Sequence, residues 1–129
     1  MEYTKNFNYW NKFKQALDKS KVIFYAHSRE IWWCSLGVNI GAEIDGKEFN
    51  FERPVIILKV YNKETILTLP AVSKERNDKF HFTLKSFQIP MHIRLTQPRV
   101  LSSKRLIRKI ATLEEKEFKS LLSAFKDFI

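Results

Sequence analysis

The stretch that most constrains the fold is FNFERPVIILKV, residues 49–60. Five of the six residues from Val55 to Val60 are aliphatic, with Lys59 the exception. Branched side chains of this kind suit a pleated strand better than a helix. Arg53-Pro54 before the run suits a strand start, where proline loses no central ladder bond. Residues 61–63 read as a turn and residues 64–70 as a second strand, so the core is a sheet. Glu52 and Arg53 stand at the lip of that buried strand. A guanidinium mounted at the rim of a core is suited to bind phosphate.

Residues 5–19 read as a helix, with Phe7, Trp10, Phe13 and Leu17 at helical spacing and lysines between them. This segment has the character of an appendage, because the remainder looks complete without it. Residues 21–25 carry a short apolar run of open type. Residues 30–36, EIWWCSL, read as a strand. Residues 37–51 form a loop that holds all three glycines, Gly37, Gly41 and Gly46, with a turn at Asp45-Gly46. A loop of that length in a compact domain is often functional. Residues 71–79 read as a polar loop, residues 80–84 and 91–95 as strands, residues 102–106 as a helical turn and residues 107–111 as a last strand. Thr112 and Glu115 fit a capping box, with Thr112 as N-cap. The helix that follows presents Phe118, Leu121, Leu122, Phe125 and Phe128 or Ile129 on one face. Five or six short strands with single helices at the ends imply a small, strongly bent β-barrel or sheet.

At 129 residues the chain has room for one core. No apolar run approaches a membrane span and no secretion signal is visible. The single cysteine, Cys34, cannot close an internal disulfide, which favours a reducing, cytoplasmic setting. Twenty-three Lys and Arg against fourteen Asp and Glu give a net charge of +9, which predicts attraction to a polyanion, nucleic acid first. His27, His81 and His92 share no metal-ligand spacing, so neither metal nor cofactor is expected.

The segment REIWWCSLGVNIGAEIDGKEFNFERPVIIL, residues 29–58, resembles the first half of the MazF/PemK (Kid) toxins of bacterial toxin–antitoxin modules. Those chains share an Ile-Trp strand, a Gly-x-Glu loop and an Arg-Pro before an aliphatic strand. LTLPAVSK, RLTQPR and SSKRLIRKIATLEEKEF resemble later family segments in the same order. The resemblance covers residues 29–128, which divides the chain into an N-terminal helical extension, residues 1–28, and a MazF/PemK-like domain, residues 29–129. It implies an SH3-like small β-barrel with a C-terminal helix, the N-terminal helix being extra. It also implies a homodimer and a metal-independent endoribonuclease that cuts single-stranded RNA through the 2′-OH, leaving a 2′,3′-cyclic phosphate and a 5′-OH. A cognate acidic antitoxin is the implied partner.

By the same resemblance Arg53 is the family's Arg-Pro arginine and stabilises charge on phosphorus. Its bland alternative is an ion pair with Glu52 or Glu43. Glu43 falls on the Gly-x-Glu glutamate, to orient Arg53 or act as base, or is a solvated loop acid. Ala42 stands where one branch of the family has histidine. Val72 falls where the family has threonine, so Ser73 is left to bind phosphate, with Lys74 beside it. Arg94 matches the first arginine of Arg-x-Asp-Gln-Pro-Arg, but Thr96 replaces the aspartate and cannot serve as a base near neutral pH. Lys47, Thr96 and Gln97 are expected at the RNA groove, Gln97 with a structural role in the strand bend. Of Trp32 and Trp33, one ring fills the core and the other, Trp33, is offered to a base or to a dimer interface. Lys104, Arg105, Arg108 and Lys109 either follow an RNA backbone or form a solvated face. The alternative to a nuclease is a non-catalytic member that binds RNA or its antitoxin, and Val72 and Thr96 keep that alternative open.

Overall fold

The computed structural model describes residues 4–74, 78–87 and 91–129. Helix α1 (Phe7–Lys19) is followed by β1 (Glu30–Ser35), β2 (Glu52–Asn62), β3 (Thr65–Val72), β4 (His81–Leu84), β5 (Met91–Arg94), β6 (Arg99–Ser102), a 3₁₀ turn (Ser103–Arg105), β7 (Leu106–Thr112) and helix α2 (Glu115–Phe128). All strand pairs are antiparallel, and the hydrogen-bonded order is β4-β5-β3-β2-β1-β7. Strand β3 branches the sheet. One of its edges pairs β2, while the other pairs β6 along residues 65–68 and β5 at Ala71 and Val72. The expected small, strongly bent β architecture forms, with the described ladder open between β4 and β7 rather than closed.

Strand β2 is buried on both faces, and its two-residue period sends alternate side chains into different clusters. Val55 and Ile57 join Trp32, Cys34, Leu36, Leu101 and Leu106. Ile56 and Leu58 join Ile31, Leu69, Ile93 and the α2 residues Phe118 and Leu121. Leu122, Phe125 and Phe128 complete the α2 face, whereas Ile129 is 84% exposed. Pro54 is the third residue of β2; its register partner is Trp33 of β1, and pairing with β3 begins only at Val55.

Three expectations are corrected. Thr112 is the last residue of β7, paired with Glu30, and not a helix cap. The N-cap of α2 is Glu114, without a side-chain hydrogen bond. Residues 71–72, assigned to a polar loop, extend β3; residues 75–77 of that loop lie outside the described residues. Strand β6 is the element the sequence reading omitted.

Helix α1 packs on the rest of the chain through a third cluster of Trp10, Val38, Phe51, Phe13 and Leu17. Phe7, on the expected apolar face, is half exposed. The Trp10 ring lies 5.2 Å from Phe51, centre to centre, and Arg105 sits 5.7 Å from it on a cation–π contact. Gly37 makes this seat. Its φ is +79°, and a Cβ there would fall 2.1 Å from the Trp10 ring.

Candidate active site

The loop between β1 and β2, residues 36–51, is tied down by its own polar groups. Asn39 donates its side-chain amide to the carbonyls of Leu36 and Ile44 (3.2 and 2.8 Å), and its backbone N–H donates to Asp45 Oδ1 (2.6 Å). Gly46 N–H donates to Gly37 O at 2.8 Å, closing the loop on itself. From outside, Gln97 Oε1 accepts from Ile44 N–H (2.7 Å) and Gln97 Nε2 donates to Ala42 O (3.2 Å). These bonds occupy both ends of the Gln97 amide. Gln97 therefore shapes the loop, the structural role expected of it, while it also lines a cleft.

Arg53 leaves β2 beside this loop and its Nε donates to the Asp45 carbonyl at 2.7 Å. Its side chain lines two adjoining clefts. One, of about 580 Å³, also holds Glu43, Lys47 and Arg94. The other, of about 420 Å³, holds Trp33, Lys47 and Ser73. A third cleft, of about 500 Å³, continues from Glu43 to Thr96 and Gln97. Glu43, Lys47, Arg94, Trp33 and Ser73 thus share a cleft with the Arg53 guanidinium, Thr96 and Gln97 line only the third cleft, and Lys74 is exposed just past Ser73. Thr96 sits exposed in a turn. Val72 points into the first core cluster and offers the clefts no polar group, while Ser73 next to it is exposed.

The acids flanking Arg53 already have partners. Glu52 takes Arg108 at 3.2 Å, and the Arg108 guanidinium lies 5.1 Å over the Trp33 ring. Glu43 Oε1 accepts the Ile40 backbone N–H at 2.9 Å, which fixes an exposed carboxylate on the cleft wall. Trp32 fills the core and Trp33 is half-buried at the cleft, as alternation along a strand requires. Arg94 is oriented from behind, its Nε 3.4 Å from His81 Nε2, while His81 Nδ1 lies 2.8 Å from Asp78 Oδ1.

The basic tract near the C-terminus is partnered, with Arg108 and Lys109 still exposed while they pair with Glu52 and Glu30. Arg105 donates to Ser35 O (3.2 Å) and covers Trp10; burial lowers its pKa, with the like charge of Arg99 adding to that effect. Lys109 pairs with the buried Glu30 at 3.0 Å. Lys104 donates to Asp18 O at 2.8 Å. Burial pushes the Cys34 thiol up to about 12, which keeps it in the protonated, unreactive form at neutral pH. His92 is buried, its Nδ1 2.9 Å from Thr83 Oγ1.

Sequence reasoning missed Asp45, His81 and Lys5. Asp45 was read as a turn former, but its side chain accepts from Asn39 and takes Lys5 Nζ at 3.4 Å, and its carbonyl anchors Arg53. The local signal, Asp-Gly, describes the turn and hides the anchor.

A sequence model of the PemK-like, MazF-like toxin of type II toxin–antitoxin systems matches residues 27–129. No protein of curated function matches the chain in sequence. Among solved structures, MazF (Form-I) from Deinococcus radiodurans superposes with a TM-score of 0.67 at 17% identity, covering 81% of this chain and 96% of that one. The MazE–MazF complex (Form-II) from the same organism gives 0.62 at 14%, with 81% and 95% covered. An endoribonuclease in complex with its cognate antitoxin from Mycobacterial species gives 0.61 at 9%, with 79% and 92% covered.

Proposed function

Since the chain belongs to the PemK-like, MazF-like toxins of type II toxin–antitoxin systems, we propose that it is an endoribonuclease cutting single-stranded RNA in the clefts around Arg53. The observation that carries this reading is the placement of Arg53 and Arg94 in one cleft with Glu43. Two guanidiniums can hold the non-bridging oxygens of one phosphate and oppose the charge that builds on phosphorus.

The reaction needs no protein nucleophile. Glu43 takes the proton of the 2′-OH, and the 2′-oxygen attacks the adjacent phosphorus. The bond from phosphorus to the 5′-oxygen breaks, and that oxygen takes a proton from water in the open cleft. The products are a 2′,3′-cyclic phosphate and a 5′-OH end. Ser73 donates to a phosphate oxygen in place of the hydroxyl that Val72 lacks. Trp33 offers a ring for a base to stack on, and Lys47 and Lys74 contribute backbone contacts. The chain acts as a homodimer in the cytoplasm, and its acidic antitoxin occupies the same basic clefts.

A second reading, an RNA- or antitoxin-binding member that does not cut, is favoured by the burial of Val72 and the exposed turn position of Thr96. The two separate in one experiment. Purified protein is incubated in chelator with a long mixed-sequence RNA, and the new 5′ ends are mapped. Cuts at one short word with 5′-OH ends, lost in Arg53→Ala, support the nuclease. Intact RNA from folded protein that still retards RNA supports the binding module.

A further inference from the structure

Residues 1–26 lie outside the family match, yet the described part of this segment reaches the candidate site. Thr4 and Asn6 line the cleft that holds Arg53 and Arg94. Asn6 also caps α1, its Oδ1 accepting from Tyr9 N–H at 3.0 Å, so the helix begins at the cleft edge. Between them, Lys5 turns into the loop. Its Nζ donates to Asn39 O and, at 3.1 Å, to Gly41 O, and it lies 3.4 Å from Asp45 Oδ2. Asp45 in turn presents its carbonyl to Arg53 Nε at 2.7 Å. Lys5 is four-fifths buried in this position, with 19% of its side chain exposed.

We propose that Lys5, held by the docked N-terminal helix, is a positioning residue for Arg53: it braces the loop between β1 and β2, and through Asp45 sets the guanidinium that receives the RNA phosphate. This rests on the RNA-cleaving or RNA-binding reading above and extends the substrate groove to a segment the family match does not include. Three contacts from one ammonium close the loop at Asn39, Gly41 and Asp45. Without them the loop keeps its internal bonds and those from Gln97, and the Asp45 carbonyl that Arg53 Nε meets is less firmly held. A displacement of about 1 Å at a phosphate-binding donor costs up to the order of 10²-fold in rate. Trp10 in its seat against Phe51 and Gly37 keeps Lys5 from swinging away.

The test is a double-mutant cycle on the full-length protein. Binding of a short labelled single-stranded RNA is followed by fluorescence anisotropy, and cleavage is measured in parallel. Lys5→Ala is expected to weaken binding and to lower kcat/KM by about tenfold or more, with Lys5→Arg restoring most of both. In an Arg53→Ala background the same Lys5→Ala change is expected to leave RNA affinity unmoved, because the residue it positions is gone. A purely structural role for Lys5 would lower Tm and give equal, additive losses in both backgrounds, which overturns the proposal. So does Lys5→Ala protein whose affinity and kcat/KM stay within about twofold of the wild type. Wild-type protein that neither binds nor cuts RNA removes the reading and the proposal together. Wild-type binding with an additive or silent Lys5→Ala removes the proposal alone.

Discussion

Glu30 is buried at the start of β1 and holds three donors at once. Its Oε1 accepts from His27 N–H (2.8 Å) and from the Trp32 indole (3.0 Å), and its Oε2 pairs with Lys109 (3.0 Å). Burial raises its pKa, but these donors outweigh it and the net shift is downward from 4.5. A carboxylate with a lowered folded pKa contributes stability that is full above its unfolded value and is lost as pH falls through the folded one. Wild-type Tm should therefore hold from pH 7 to about 5 and fall below pH 4.5. Glu30→Gln should lose about 1.5–3 kcal/mol at pH 7 and show a flatter acid limb, both readable in thermal melts across that range. At the site, Arg53→Ala should abolish RNA cutting and growth arrest on expression while Tm stays near wild type. Glu43→Gln should lower kcat with little change in RNA affinity if the carboxylate is the base. Arg53, Glu43 and Arg94, which share one cleft, could be named as candidates from the sequence because a short pattern surrounds each. Asp45 and Lys5 were not, since their contacts join residues 34 to 40 positions apart or run through backbone carbonyls.

At the scale of elements, Trp10 is the buried residue of α1 and the centre of its packing, with Phe13 and Leu17 beside it. Trp10→Ala should cost about 3–5 kcal/mol by emptying the seat between Phe51 and Gly37. Gly37→Ala should also destabilise, since it forces a side chain into a positive φ and against the ring; near-ultraviolet circular dichroism and a melt report both. Both helices and most strands were readable from periodicity, because burial on one face leaves a sequence period. The errors occur where a distant partner overrode a local pattern. Thr112 has capping-box spacing, but pairing with Glu30 across the sheet keeps it in β7. Strand β6 is four residues long, with two of them, Val100 and Ser102, facing solvent, and only β3 makes it a strand. The Lys104–Lys109 tract looked like a cationic surface because its acceptors, Asp18, Ser35, Glu52 and Glu30, are remote in sequence.

For the whole molecule, the +9 charge sets how binding responds to salt. RNA affinity should fall linearly on a log–log plot against salt, with a slope of about −0.7 per phosphate contact on a single strand. Removing Lys74 should reduce that slope by about one contact, whereas Gln97→Ala should leave the slope alone and disturb cutting through the loop. Strand β3 was described as a branch point, served by β2 on one edge and by β6 and β5 on the other. Its order of supply on the ribosome follows from that. The β2–β3 hairpin emerges early, but β3's second edge, met by β5 at Ala71 and Val72, stays bare along residues 65–68 until residue 102 is made, and β1 waits for β7, residues 106–112. The helix that closes the second core is synthesised after β7. A chain built this way completes the sheet behind its clefts only once β7 is made. Messages truncated before Leu106 should yield protease-sensitive, harmless fragments.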